Sequence, residues 1–150
     1  MKVEKIDHIH VCVKDLDAAM AFFKDVFGME FDPVWELSEI VGLRDVRGPL
    51  GLDIVEITDP ARRAGKGMVD THKEGISAIS LKVPNIEEAI AELEARGIKM
   101  ASPLSQIGLV KQAYFDPTQT FGIQIELCEY PGDDLGAAAG PPRSDGLKAV

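Results

Sequence analysis

Ile6-Asp7-His8-Ile9-His10-Val11-Cys12-Val13 and Ile76-Ser77-Ala78-Ile79-Ser80-Leu81-Lys82-Val83 stand seventy residues apart and share one pattern. Apolar and polar side chains alternate with period two, as in a strand buried on one face. A turn and then a helix should follow each of them. Asp15 and Asn85 stand where a side chain can cap the first free backbone N–H groups. Glu88 follows Asn85 by three residues, as in a capping box. The helical runs from Ala18 to Phe27 and from Ala89 to Arg96 stop at Gly28 and Gly97, which suit a left-handed helix terminus. Late in each half a further strand recurs, Leu52 to Ile57 and Ile123 to Leu127, and the same seventy-residue step carries Glu56 onto Glu126.

The repeat predicts a duplicated β-α-β-β-β unit, with residues 1–68 as the first module and 69–130 as the second. Two weaker strands are expected within each, near 34–43 and 44–47, and near 101–107 and 109–115. The fold class is α+β: one mixed sheet curled around a pocket, with helices on the outside.

Alternation then assigns faces. Ile9, Val11, Val13, Ile79, Leu81 and Val83 go under the helices, with Val55, Ile57, Ile125 and Leu127. The opposite face gathers His8, His10, Glu56, Lys82, Gln124 and Glu126, and Ala78 and Ser80 stand among them. A sheet face open to water would also be polar. Carboxylates repeated about a pseudo-two-fold axis beside an imidazole are, in addition, what a divalent Zn, Co, Ni, Mn or Fe ion requires. His10 follows His8 by two residues, about 7 Å along an extended strand. As a substitute ligand it is too far to share one metal with His8 easily unless its side chain tilts, and it is assigned with Lys82 and Gln124 to substrate. His72, in the loop before the second repeat strand, reads as a surface residue.

The chain has 150 residues, 45% of them apolar and 27% charged, as in an ordinary globular protein. Sixteen basic against twenty-five acidic residues give a net charge of −9, which disfavours nucleic acid as a partner. No apolar run is long enough for a membrane span. The first residues lack the apolar stretch of a secretory signal, so a cytoplasmic address is expected. Cys12 and Cys128 then read as free thiols. The segment 131–150 is dominated by Gly, Pro and Ala and is expected to be a flexible tail.

The stretches DHIHVCVKDLDAAMAFF (7–23), IVEITDP (54–60) and YFDPTQTFGIQIELCE (114–129) resemble the vicinal oxygen chelate superfamily of glyoxalases, epimerases, extradiol dioxygenases and bleomycin-resistance proteins. THKEGISAISLKVPNIEEAI (71–90) and IELCE (125–129) are most similar to the methylmalonyl-CoA epimerase family. That resemblance implies one divalent metal held from four strand positions, which here are His8, Glu56, Ala78 and Glu126. Ala78 stands where the family usually has histidine. It also implies a glutamate base in the first module, placed at Glu39 by counting back from Glu56, working opposite Glu126. A homodimer is implied too. The implied chemistry is isomerisation or epimerisation by proton abstraction next to a carbonyl, on a small acidic or acyl substrate such as a thioester. Arg44, Arg47 and Lys82 are the candidate cations for such a substrate. A metal-free binding module of the resistance type, or another metal-assisted lyase, hydrolase or dioxygenase, are the alternatives that Ala78 leaves open.

Overall fold

The computed structural model describes residues 1–63 and 74–140 and the backbone of 148–149; His72 lies outside the described residues. In chain order the elements are β1 (Lys5–Val13), α1 (Leu16–Phe27), β2 (Trp35–Leu37), α2 (Ser38–Val41), β3 (Leu43–Arg47), β4 (Leu52–Ile57) and α3 (Pro60–Arg63). They continue as β5 (Gly75–Lys82), α4 (Ile86–Ala95), β6 (Ser105–Ile107), β7 (Val110–Tyr114), β8 (Gln124–Glu129), α5 (Leu135–Ala139) and β9 (Lys148–Ala149). All strands join one mixed sheet in the order β2-β3-β4-β1-β5-β8-β7-β6-β9. β1 and β5 run antiparallel at its centre, where Ile9 pairs with its own repeat mate Ile79. A pseudo-two-fold axis therefore passes between them. β4 lies parallel to β1, and β8 parallel to β5. The α+β curled sheet is the architecture expected from the repeat.

The caps form as their sequences require. Asp15 accepts from the Ala18 N–H and Asn85 from the Glu88 N–H. Gly28 closes α1 in the left-handed conformation. α1 and α4 cover the convex side. Leu16 packs on Val46 and Ile54, while Ile86, Ala89 and Ile90 pack on Ala113, Phe115 and Leu127. Burying side chains as large as Leu16 or Ile54 contributes about 1.5–3 kcal/mol each. On the concave side Leu43 and Val55 of the first half share a cluster with Val110, Tyr114 and Cys128 of the second, so the sheet curls until its halves meet. No helix among the described residues is long and apolar enough to cross a membrane.

Three expectations are corrected. The strand predicted over 34–43 breaks after Leu37 into the single turn α2, which ends at Gly42 with φ 72°. A Cβ there would lie 2.3 Å from the Asp59 carbonyl oxygen, so the chain crosses itself too closely for any other residue.

β4 carries the opposite face assignment. Ile54 packs under α1, and Val55 joins the concave cluster. The cause is register. Val13 pairs with Glu56, whereas Lys82 pairs with Cys128, so the mate of Glu56 is Glu129 and the mate of Asp53 is Glu126. The closing strands repeat at 73 residues, not 70, and an odd slip exchanges the faces of a strand.

The expected flexible tail instead folds back as far as Ala139. Asp134 accepts from the Ala137 N–H to start α5, and Ala138 and Ala139 are buried in the concave cluster. Small side chains achieve this through close approach: at Gly108, φ 56°, a Cβ would lie 2.4 Å from the Ala139 carbonyl oxygen.

Candidate metal centre on the concave face

His8, Ser80 and Glu126 form one row across β1, β5 and β8, and His10, Ala78 and Gln124 form the next. Paired residues share a face, so both rows point into the cup. His8 Nε2 lies 3.3 Å and His10 Nε2 lies 2.6 Å from Glu126 Oε2, and the two Nε2 atoms are 3.0 Å apart. The relative exposures of His8, His10 and Glu126 are 3%, 4% and 0%. Together they form a group of buried ligand atoms that could hold one metal ion.

His10 is the residue whose place the sequence misread. It stands directly opposite Ala78, and its imidazole reaches His8 and Glu126 in the neighbouring row. The separation of about 7 Å applies to an extended strand. Here the β1–β5 register is irregular on both sides of the pair, between Ile6 and His8 and between His10 and Val11. Such irregularities re-aim side chains, and on the inside of the curl the two rings approach to 4.6 Å between centroids.

The surroundings tune the centre. His8 Nδ1 is held by Asp7 Oδ2 at 2.8 Å, which directs Nε2 toward Glu126. Asp7 in turn accepts from the Tyr130 hydroxyl. Burial opposes ionisation of Asp7, but hydrogen bonds from His8 and Tyr130 prevail and hold its carboxyl well below the usual range. Burial opposes a charge on His8, yet Glu126 and Asp7 raise its pKa well above the ordinary value. Burial likewise disfavours ionised Glu126, but His8 and His10 bring it down to about 2. The carboxylates thus favour a positive charge at His8, which its proton supplies here and which a divalent ion would supply in that proton's place. Asp53, the true repeat mate of Glu126, is also buried, with Oδ2 3.8 Å from His8 Nε2.

The donor set fits a divalent ion. Two imidazole nitrogens and a carboxylate match zinc and related metals. His10 Nδ1 and Glu126 Oε1 are buried without a hydrogen-bond partner among the described residues, as are Asp45 Oδ1, Arg47 Nε and Ser80 Oγ. Buried polar groups are rarely left so.

Other expected site residues lie elsewhere. Glu56 is not at the centre: it joins Arg44 and Glu36 in a row on the convex side. Its Oε2 accepts from Arg44 at 3.0 Å and from the Leu16 N–H at 3.3 Å, a carboxylate at the start of α1. Glu129 does the same for α4, 2.7 Å from the Ile86 N–H. Glu39, on α2, has a side chain 93% exposed and 3.8 Å from Arg62, outside the cup. Lys82 lies on the concave side toward the rim, over the Tyr130 ring at 4.2 Å, and Gln124 is buried beside Ala78. Arg44 is bound to Asp17, Glu36 and Glu56. Arg47 stacks on Trp35 at 4.8 Å.

Asp45 went unnoticed in the sequence. It pairs with Trp35 and Val55 and so faces the cup. Burial and the neighbouring Asp53 carboxylate push its pKa up to about 7. Its alternation with Leu43 and Arg47 was the available signal.

A duplicated sheet that cups a buried imidazole–carboxylate centre defines a chelate-type fold. The chain belongs to the Glyoxalase/Bleomycin resistance protein/Dioxygenase superfamily, which matches residues 5–127. It is 28% identical over 131 residues to mitochondrial methylmalonyl-CoA epimerase of Mus musculus, spanning 84% of this chain and 73% of that protein. It is 29% identical over 134 residues to lactoylglutathione lyase of Schizosaccharomyces pombe, spanning 77% of this chain and 44% of that protein. A solved methylmalonyl-CoA epimerase in complex with methylmalonyl-CoA and NH4+ matches with a TM-score of 0.73 at 21% identity, over 89% of this chain and 99% of that one. A variant of the Streptomyces coelicolor epimerase in complex with 2-nitronate-propionyl-CoA gives 0.71 at 22%, over 87% and 97%. Both structural likenesses concern the fold.

Proposed function

We propose that this protein is a metal-dependent isomerase or epimerase that removes a proton next to the carbonyl of an acyl thioester. The observation that carries the reading is the convergence of His8 Nε2, His10 Nε2 and Glu126 Oε2 in a dry cup. A divalent ion held by these three would supply a Lewis acid for a carbonyl oxygen. Asp7 fixes the tautomer and aim of His8. The concave apolar cluster keeps water from the reacting carbon.

Glu126, held down to about 2, is a permanent anion at neutral pH and suits a ligand better than a proton carrier. The carboxylate suited to take the proton is Asp45, which faces the cup and is raised above the ordinary carboxylate range by burial and the Asp53 carboxylate. The carbon–hydrogen bond breaks, the proton passes to Asp45, and the electron pair moves onto the carbonyl oxygen. Return of the proton to the same face restores the starting compound with exchange, and delivery of a proton to the opposite face gives the epimer.

Methylmalonyl-CoA in D2O, followed by proton NMR, tests the reading. Metal-loaded wild type should exchange the α-proton. Asp45→Asn should slow exchange by about 10²-fold or more while still binding metal. Wild type that carries metal but leaves the α-proton in place over hours would contradict the assigned function.

A further inference from the structure

The chain itself lines part of the approach to the centre. A cavity of about 450 Å³ reaches His8 and Asp53, and Asp133, Asp134, Leu135 and Gly136 form part of its lining. Ala138 and Ala139 continue the cover onto the concave cluster, and the Ala138 carbonyl accepts from the Leu109 N–H at 2.9 Å. Two alanine methyls and a partly buried Leu135 bury less apolar surface than the strands beneath, so this cover is held less strongly than the sheet. Its polar anchors are cations of the cup's rim. Lys82 Nζ donates to the Gly132 carbonyl and lies 3.8 Å from Asp133 Oδ1, and Lys5 Nζ is 3.4 Å from the Asp133 carbonyl. Lys82 is buried, with its ammonium over Tyr130. The turn thus engages Lys5 and Lys82 at the edge of a cavity whose other charged lining residues include Asp7, Asp32 and Asp53.

We propose that residues 131–139 form a displaceable strap that occupies the ligand's place, and that Lys5 and Lys82, now held by the Gly132–Asp133 turn, receive the anionic group of the incoming substrate. The substrate half of this inference rests on the acyl-thioester reading above; the strap half stands on the fold. Opening exposes Ala138 and Ala139 and releases both lysines from the turn, leaving Lys5 3.2 Å from Asp7 and Lys82 3.7 Å from Glu4. An anionic ligand competes with the strap for the same cations.

Amide hydrogen exchange on the full-length protein tests this directly. Peptides covering 131–139 should exchange at least about ten-fold faster than those of β1 and β8, and methylmalonyl-CoA should speed them further. A matched pair of variants adds a second readout. Ala139 is buried and Ala137 is exposed on the same helix. Ala139→Glu should accelerate labelling of Cys12 and Cys128, both buried on the concave side, by about ten-fold or more at a temperature where the sheet stays folded. Ala137→Glu should leave labelling unchanged. Strap peptides protected as strongly as β8 would overturn the proposal, as would loss of the whole fold in Ala139→Glu, since α5 would then belong to the core. Methylmalonyl-CoA turned over with strap exchange unaltered would overturn the strap and leave the function standing. A strap that opens unaided, in protein that neither binds nor turns over methylmalonyl-CoA, would overturn the substrate half and the function while upholding the strap.

Discussion

Asp45 is neutral over part of the pH range in which an unfolded carboxyl is already ionised. Its folded pKa of about 7, against an ordinary 3.8, means that the native state keeps a proton that the unfolded chain has released. Stability should therefore fall as pH rises between those two values and level off above the higher one. In protein stripped of metal, Asp45→Asn should flatten this dependence and be more stable than wild type at about pH 8, by about 1–3 kcal/mol. Parallel pH profiles from thermal melts would contradict the raised pKa of the Asp45 carboxyl. At this scale the sequence was readable where side chains follow strict alternation. His8 and Glu126 fall at the centre on that count alone. His10 and Asp53 required facts that alternation does not carry, namely a curl that brings neighbouring rings together and a three-residue lengthening of the second module.

The elements are held by local chemistry that was largely visible beforehand. Asp15→Ala should cost about 1 kcal/mol, because its carboxylate satisfies the Ala18 N–H at 2.9 Å. Glu56→Gln should cost a similar amount through the start of α1, and should leave metal affinity unchanged within two-fold. Denaturant melts and metal titrations of the same samples separate the two effects, and a Glu56 variant with weakened metal binding would return that residue to the centre. Caps could be predicted because each needs only a few adjacent residues. α5 could not, because residues 131–139 look too poor in apolar area to fold. They order through Gly108, the Asp134 cap and lysines that arrive from β1 and β5.

Across the whole molecule, duplication explains why one cup can hold a centre built from both halves. The axis between Ile9 and Ile79 carries each concave position of one module onto its mate in the other, which sets His8 opposite Ser80 and His10 opposite Ala78. The mates have diverged: His8 against Ala78, His10 against Ser80, Asp53 against Glu126. The first module thus contributes both imidazoles, and the second contributes the carboxylate closest to them. The repeat made the curled sheet legible from the sequence, while the divergence within it decides the chemistry.

Cobalt(II) titration followed by visible absorption tests the central claim most directly. The account predicts one equivalent bound by wild type, with affinity reduced at least about ten-fold in His10→Ala and in Glu126→Gln, each still folded by circular dichroism. Wild-type protein that binds no cobalt, or a His10→Ala variant that binds it as tightly as wild type, would contradict a centre built on His8, His10 and Glu126.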